Sequence, residues 1–143
     1  MNINILKFTT IILLLCCSCG NKNEIDVNGQ SLIETTWKLA GIVDTQTGIL
    51  KVLEREGCAD CYSFTFDTDS TAFGISIVNH LGVSLRPIVR IFVMTYALDN
   101  HWDDTALFYN AISSIISYKL NKNELKFYYN DNKNYLLFKS QKS

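Results

Sequence analysis

CYSFTFDTDSTAFGISIVN, residues 61–79, alternates apolar and polar side chains on both sides of a short acidic and hydroxyl-rich centre. Phe64 and Phe66 fall on one face with Ser63 and Thr65 opposite, and the return segment groups Phe73, Ile75 and Ile77. A period of two, broken by Asp67-Thr68-Asp69-Ser70, describes two strands and the turn between them. This hairpin makes the chain a β protein, and the neighbouring segments extend it.

Upstream, TWKLAGIVD (residues 36–44) reads as a strand with Trp37, Leu39, Gly41 and Val43 on one face. A long connection with its own turn at Thr47-Gly48 leads from there to the hairpin. Downstream, NHLG turns the chain before VSL. After Pro87, the only proline, IVRIFVMTYAL is rich in β-branched and aromatic residues and predicts a long strand. The period then changes. In DDTALFYNAISSII the residues Leu107, Phe108, Ala111, Ile112 and Ile115 form a helical stripe, with Asp103 placed as its N-cap and Asp104 beside the positive helix end. SYKL, LKFYY and YLLFK close the chain as three short strands separated by Asn-rich turns. The expected fold is mainly β (α+β). It is a compact, strongly curved antiparallel sheet or small barrel with one helix in the last third, which protects the sheet edges.

The opening MNINILKFTTIILLLCCSCGNKNE sets the compartment. Lys7 precedes an apolar run, residues 8–15, that is too short for a permanent membrane span and is followed by small residues and cysteine. It is similar to a bacterial lipoprotein signal, cleaved before a cysteine that receives lipid. Cys19 fits best, with Ser18 before it and Gly20 after it. Cys17, with Leu14 three residues earlier, is the competing site, because Cys16 stands where Leu is usual for Cys19. Residues 1–18 are therefore assigned to the signal peptide, 19–30 to a lipidated tether and 31–140 to a single domain.

Removing 18 of the 143 residues leaves 125, enough for one domain. Without Lys7, 12 cations face 14 anions and no basic block remains, which excludes the electrostatic footprint of a nucleic-acid binder. The implied partner is the membrane, through the lipid anchor. The implied location is the cell envelope, and within it the outer membrane.

Several motifs are similar to those of the META/HslJ heat-shock-protein family, compact β-rich domains found in bacterial lipoproteins. They are Trp37-Lys38-Leu39 in the first strand, the aromatic strand, turn and Gly-bearing return of FTFDTDSTAFG, and Asn79 at the end of that return. Thr95 before the helix and the closing SYKLNKNELKFYYND and YLLF match as well. The resemblance spans residues 31–139 and implies the fold together with a loose association with stress response. The family often carries one cysteine before that Asn and another before the helix. Val78 stands at the first position and no cysteine lies between Thr95 and Asp104, so a disulfide joining those two positions is absent. A lipocalin-like small barrel is the alternative fold, supported by Trp37 near the first strand.

Cys58 and Cys61 are the cysteines left in the mature body. A redox C-x-x-C uses a helix N-terminus to lower its thiol pKa, whereas the segment following Cys61 is a strand by pattern. A zinc site would need His80 and His101 as well, at a spacing that matches no compact module. A short structural disulfide in an oxidising compartment is the favoured reading. Asp67 to Ser70 lacks the glycine and distal glutamate of a calcium loop and reads as a turn. Tyr128, Tyr129 and Tyr135 are either a recognition surface or half-buried strand aromatics. No catalytic residue, metal or cofactor is assigned. The expected role is non-enzymatic: binding, or support of envelope integrity or stress resistance. A lipocalin-like carrier of a small apolar ligand is the alternative, and a thiol-dependent redox protein comes after it.

Overall fold

The computed structural model describes residues 24–25, 31–53, 58–97 and 102–141, with side chains described from residue 31 onward except at 102 and 103. The strands are β1 (Glu24–Ile25), β2 (Thr36–Asp44), β3 (Leu50–Lys51), β4 (Ser63–Phe66), β5 (Thr71–Ile75), β6 (His80–Ser84) and β7 (Arg90–Val93). Helix α1 (Trp102–Ser113) follows, then β8 (Ser117–Leu120), β9 (Glu124–Tyr129) and β10 (Asn134–Gln141). All ten strands join one sheet in the order β1-β8-β9-β10-β2-β4-β5-β6-β7, with β3 added to β2. Every pairing is antiparallel except β1 with β8. The sheet curls into a half-barrel, and the one helix among the described residues packs beside β7. The predicted fold class is the observed one.

Two local meanders, β4 to β7 and β8 to β10, are joined by the long ladder between β2 and β10. That ladder is irregular where the curl needs it. Phe138 pairs with Leu39 and Leu137 with Gly41, so Ala40 is an extra residue. Such a bulge bends the strand and reverses its facing. Trp37 lies on the core side, but beyond the bulge Ile42 turns inward and Val43 turns to the outer face, correcting the single face expected for Trp37, Leu39, Gly41 and Val43. A Cβ at Gly41 would come 2.3 Å from the Lys51 carbonyl oxygen, so only glycine lets β3 approach there.

The interior is filled by aromatic rings. Phe64 lies 4.7 Å from Phe138, 5.7 Å from Phe66 and 6.4 Å from Phe127, centroid to centroid. Leu125, Leu136 and Phe138 are sealed from solvent around them. Helix α1 adds Phe108, Ala111 and Ile112, with Phe108 4.6 Å from Tyr62. The helical stripe is rotated from the expected one. Leu107 is 40% exposed, and the inward face runs through Thr105, Phe108, Ala111 and Ile112. The helix starts at Trp102, so Asp103 lies within its first turn and not at the cap. The hairpin return also differs, because Ala72 faces inward and Phe73 stands on the outer face, 52% exposed.

The continuous buried cluster runs from Leu32 to Phe138. The signal peptide, Cys17, Cys19 and His101 lie outside the described residues. Of the expected tether, Glu24–Ile25 is described, and it runs beside Lys119 and Leu120 of β8.

Candidate functional site

The chemistry-bearing residues separate into three places and an acidic turn. The first is the cysteine loop. Cys58 and Cys61 are paired, with Cα atoms 5.4 Å apart, within the span a disulfide bridges. Cys61 is buried, and Tyr62 turns the chain with φ of 55° before β4 begins at Ser63. The segment that follows Cys61 is a strand, not the start of a helix. The Ser63 hydroxyl donates to the Asp60 carbonyl at 2.6 Å and closes the loop. His80 opens β6 on the exposed side. Among the described residues no three of His, Cys, Asp and Glu gather to hold a metal.

The second place is a buried polar lock around Asn79, which is 4% exposed. Its Nδ2 donates to the Ala97 carbonyl (3.1 Å) and to the Tyr109 hydroxyl (3.0 Å). Its Oδ1 accepts from the Ala97 amide (2.6 Å) and from the Thr95 hydroxyl (3.1 Å). Thr95 in turn accepts from the His80 amide, and Tyr109 meets the Ser76 hydroxyl at 2.9 Å. The Asn79 amide therefore presents a donor and an acceptor to the Ala97 backbone, as a neighbouring strand would. This explains why β7 stops at Val93 although the apolar sequence continues to Leu98. The side chain takes over Ala97 and draws the chain out of the ladder toward α1. Asn79 and Thr95, widely separated in sequence, meet here. The family resemblance singles out each residue, but only the fold reveals that they pair. The groups satisfy one another, which makes this a structural clasp and not a reactive centre.

The acidic turn is equally committed. Asp67 accepts from the Thr71 hydroxyl at 2.8 Å. Asp69 faces away and accepts from the Leu32 amide (2.7 Å) and the Ser31 hydroxyl (2.8 Å). The Leu32 amide, and after it the Ser31 hydroxyl, hold the Asp69 carboxyl below its ordinary 3.8. The two carboxylates diverge: Asp67 closes the turn onto Thr71, and Asp69 binds the start of the domain to the hairpin tip. Asp104 likewise pairs with Lys51, 3.2 Å away on β3.

The third place is the outer face of β8, β9, β10 and β2. Tyr128 and Tyr135 face each other across strands with ring centroids 5.3 Å apart, and Lys126 lies over Tyr135 at 5.2 Å. Partial burial works against the Lys126 charge, but Glu124, 3.1 Å away, outweighs it and raises the ammonium pKa. Tyr129 belongs elsewhere. It packs against the core, where burial raises its phenol pKa. The three tyrosines grouped by sequence thus divide into an exterior pair and a core neighbour. On the inner side of β8, the Tyr118 hydroxyl is buried and has no hydrogen-bond partner among the described residues.

A half-barrel packed with aromatic rings, with Asp67 and Asp69 tied into a turn and Cys58 paired with Cys61, defines a β-scaffold domain. An NMR structure of a protein from Burkholderia xenovorans shares this fold, with a TM-score of 0.53 at 16% identity over 78% of this chain and 85% of that one. No family model matches the sequence. A Tannerella forsythia protein bearing the name "Putative lipoprotein" is 37% identical over 132 residues, which cover 92% of this chain and 91% of the relative. The chain belongs to that bacterial lipoprotein family, and it is a membrane-associated envelope protein. No helix among the described residues is long and apolar enough to cross a membrane.

Proposed function

We propose that this chain is a META/HslJ-like lipoprotein, anchored through Cys19 to the outer membrane, whose domain acts without catalysis by binding at its surface in support of envelope integrity under stress. The observation that carries this reading is the filled interior. Phe64, Phe66, Phe127 and Phe138 contact one another where a lipocalin-like carrier would hold its ligand. The paired Cys58 and Cys61, with a strand following them, favour a structural staple over thiol chemistry.

The test is complementation in a strain lacking the gene, scored as survival under detergent. Wild type and the double variant Cys58→Ser, Cys61→Ser should both restore survival, and Cys19→Ala should not. Failure of a well-folded double serine variant would favour the redox alternative. Saturable one-to-one uptake of an apolar fluorescent probe into the domain interior would favour the carrier.

A further inference from the structure

The outer face of the sheet over β4, β5, β6 and β7 carries three cross-strand rows. The middle row is Thr65, Phe73, Gly82 and Phe92. Phe73 is 52% exposed and Phe92 40%. A Cβ at Gly82 would come 2.3 Å from Phe92 Cζ, so the Phe92 ring lies over Gly82. On one side of this row Ile75 stands opposite His80, and the His80 carbonyl accepts from the amide of Met94, which is 49% exposed. On the other side Asp67 holds the Thr71 hydroxyl, Thr71 stands opposite Ser84, and Ser84 opposite Arg90. Exposed Phe, Met and Arg, with Lys and Glu absent from these rows, is the composition of a protein interface.

The charges point to the occupant. Asp67 and Arg90 are both exposed and stand at opposite ends of one row. Arg90 makes no ion pair among the described residues, and its guanidinium lies 5.3 Å from the centroid of the Phe92 ring. A second copy, turned about a two-fold axis midway between the two sheets and parallel to the strands, reverses each row upon itself. Asp67 then faces Arg90 of the second copy, and Arg90 faces Asp67 of the second copy. In the middle row Phe73 meets the Phe92 ring where it covers Gly82, and Phe92 meets Thr65. A two-fold interface must be self-complementary in this way. Sheets pack face to face about 10 Å apart with their strands within about 30° of aligned. Four strands at about 4.8 Å and three rows at about 6.8 Å give a patch of about 400 Å² per copy. That is half of the roughly 800 Å² per partner in a standard stable complex, so the contact is weak and transient in free solution. Copies held by lipid on one membrane surface meet at a raised effective concentration, which is what so small a patch requires.

We infer that the outer face of β4 to β7 is a two-fold self-association surface, through which copies of this chain on one membrane pair by stacking Phe73 on Phe92 and exchanging Asp67–Arg90 ion pairs. In its need for shared anchoring this rests on the lipid-anchor reading above. The complementarity of the rows does not.

The experiment uses the full lipidated chain in phosphatidylcholine vesicles, labelled at its C-terminus with a donor or an acceptor dye, and reads energy transfer between copies against surface density. Wild type should show more transfer than randomly placed copies, and unlabelled wild type should compete it away. Asp67→Arg alone and Arg90→Glu alone each set like charges face to face twice per pair, so each should weaken self-association at least about tenfold. A one-to-one mixture of these two variants should regain transfer, because every charge then faces its opposite. The double variant Asp67→Arg, Arg90→Glu should regain it as well. Phe73→Ser leaves both charges and the turn in place and should also weaken self-association at least about tenfold. Wild-type transfer no greater than random would overturn the proposal. So would folded single variants that do not rescue each other, or undiminished transfer in Phe73→Ser, which keeps the test decisive if Asp67→Arg does not fold. Flotation with the vesicles reports the anchor separately. A chain that floats without transfer retains the anchor and loses the face. A chain that does not float is read by sedimentation at about 1 mM, where a dimer retains the face and a monomer loses both.

Discussion

Asn79→Ala tests whether the polar lock sets the course of the chain between β7 and α1. The substitution removes four side-chain hydrogen bonds, two to Ala97 and one each to Thr95 and Tyr109. A net intramolecular hydrogen bond contributes about 1 kcal/mol, and a buried orphaned partner costs about 1–3 kcal/mol. The partners are not all stranded. Tyr109 keeps Ser76, Thr95 keeps the His80 amide, and Ala97 is exposed to water. The loss should therefore be about 2–4 kcal/mol, short of four full penalties. Urea unfolding measures the stability, and hydrogen exchange at the Ala97 amide measures the local release, which should accelerate strongly. Tyr109→Phe combined with Asn79→Ala should be non-additive by about 0.5–3 kcal/mol, because the two share a bond. A change below about 0.5 kcal/mol, the scatter of ordinary surface substitutions, together with unchanged exchange at Ala97 would refute the reasoning.

Helix phase is tested by Ile112→Ala, which should cost about 2–5 kcal/mol in thermal or urea unfolding, against Leu107→Ala, which should cost below about 1 kcal/mol because that side chain is already half in water. Tyr118→Phe removes a buried hydroxyl without a described partner and should leave the unfolding midpoint unchanged or raise it. Asp69 has a folded pKa below its ordinary 3.8, so its contribution is complete above that value and disappears as pH falls through the lower folded value. Acid unfolding of Asp69→Asn should accordingly be less steep below pH 3.8 than that of wild type, and identical slopes would contradict the bonds to Leu32 and Ser31. The purified domain should show no free thiol at Cys58 or Cys61 until reductant is added, and the double serine variant should fold with a loss of at most about 2 kcal/mol, read from urea midpoints.

The sequence by itself determined what depends on neighbours along the chain. The β2 segment read as TWKLAGIVD coincides with Thr36–Asp44, and the hairpin around Asp67 to Ser70 and the helix after residue 101 stand where period and turn chemistry placed them. Local pattern also isolated Cys58 and Cys61 as a pair and marked the acidic turn as a turn. Tertiary structure alone decided which way those elements face. The extra residue Ala40 reverses β2 only because β10 pairs on both sides of it. Leu107 points outward because the sheet's curl receives Phe108 and Ala111 instead, a matter of where β7 and the Tyr62 ring sit. Asn79 and Thr95 acquire their meaning from a hydrogen bond across two turns of chain. Lys38 comes to lie beside Lys139, and Lys126 beside Lys119, only through the ladder register, which also sets Glu124 opposite Lys139. Periodicity is a short-range property of a chain, whereas facing, clasping and charge clustering are set by long-range register, which closes only when β2 meets β10.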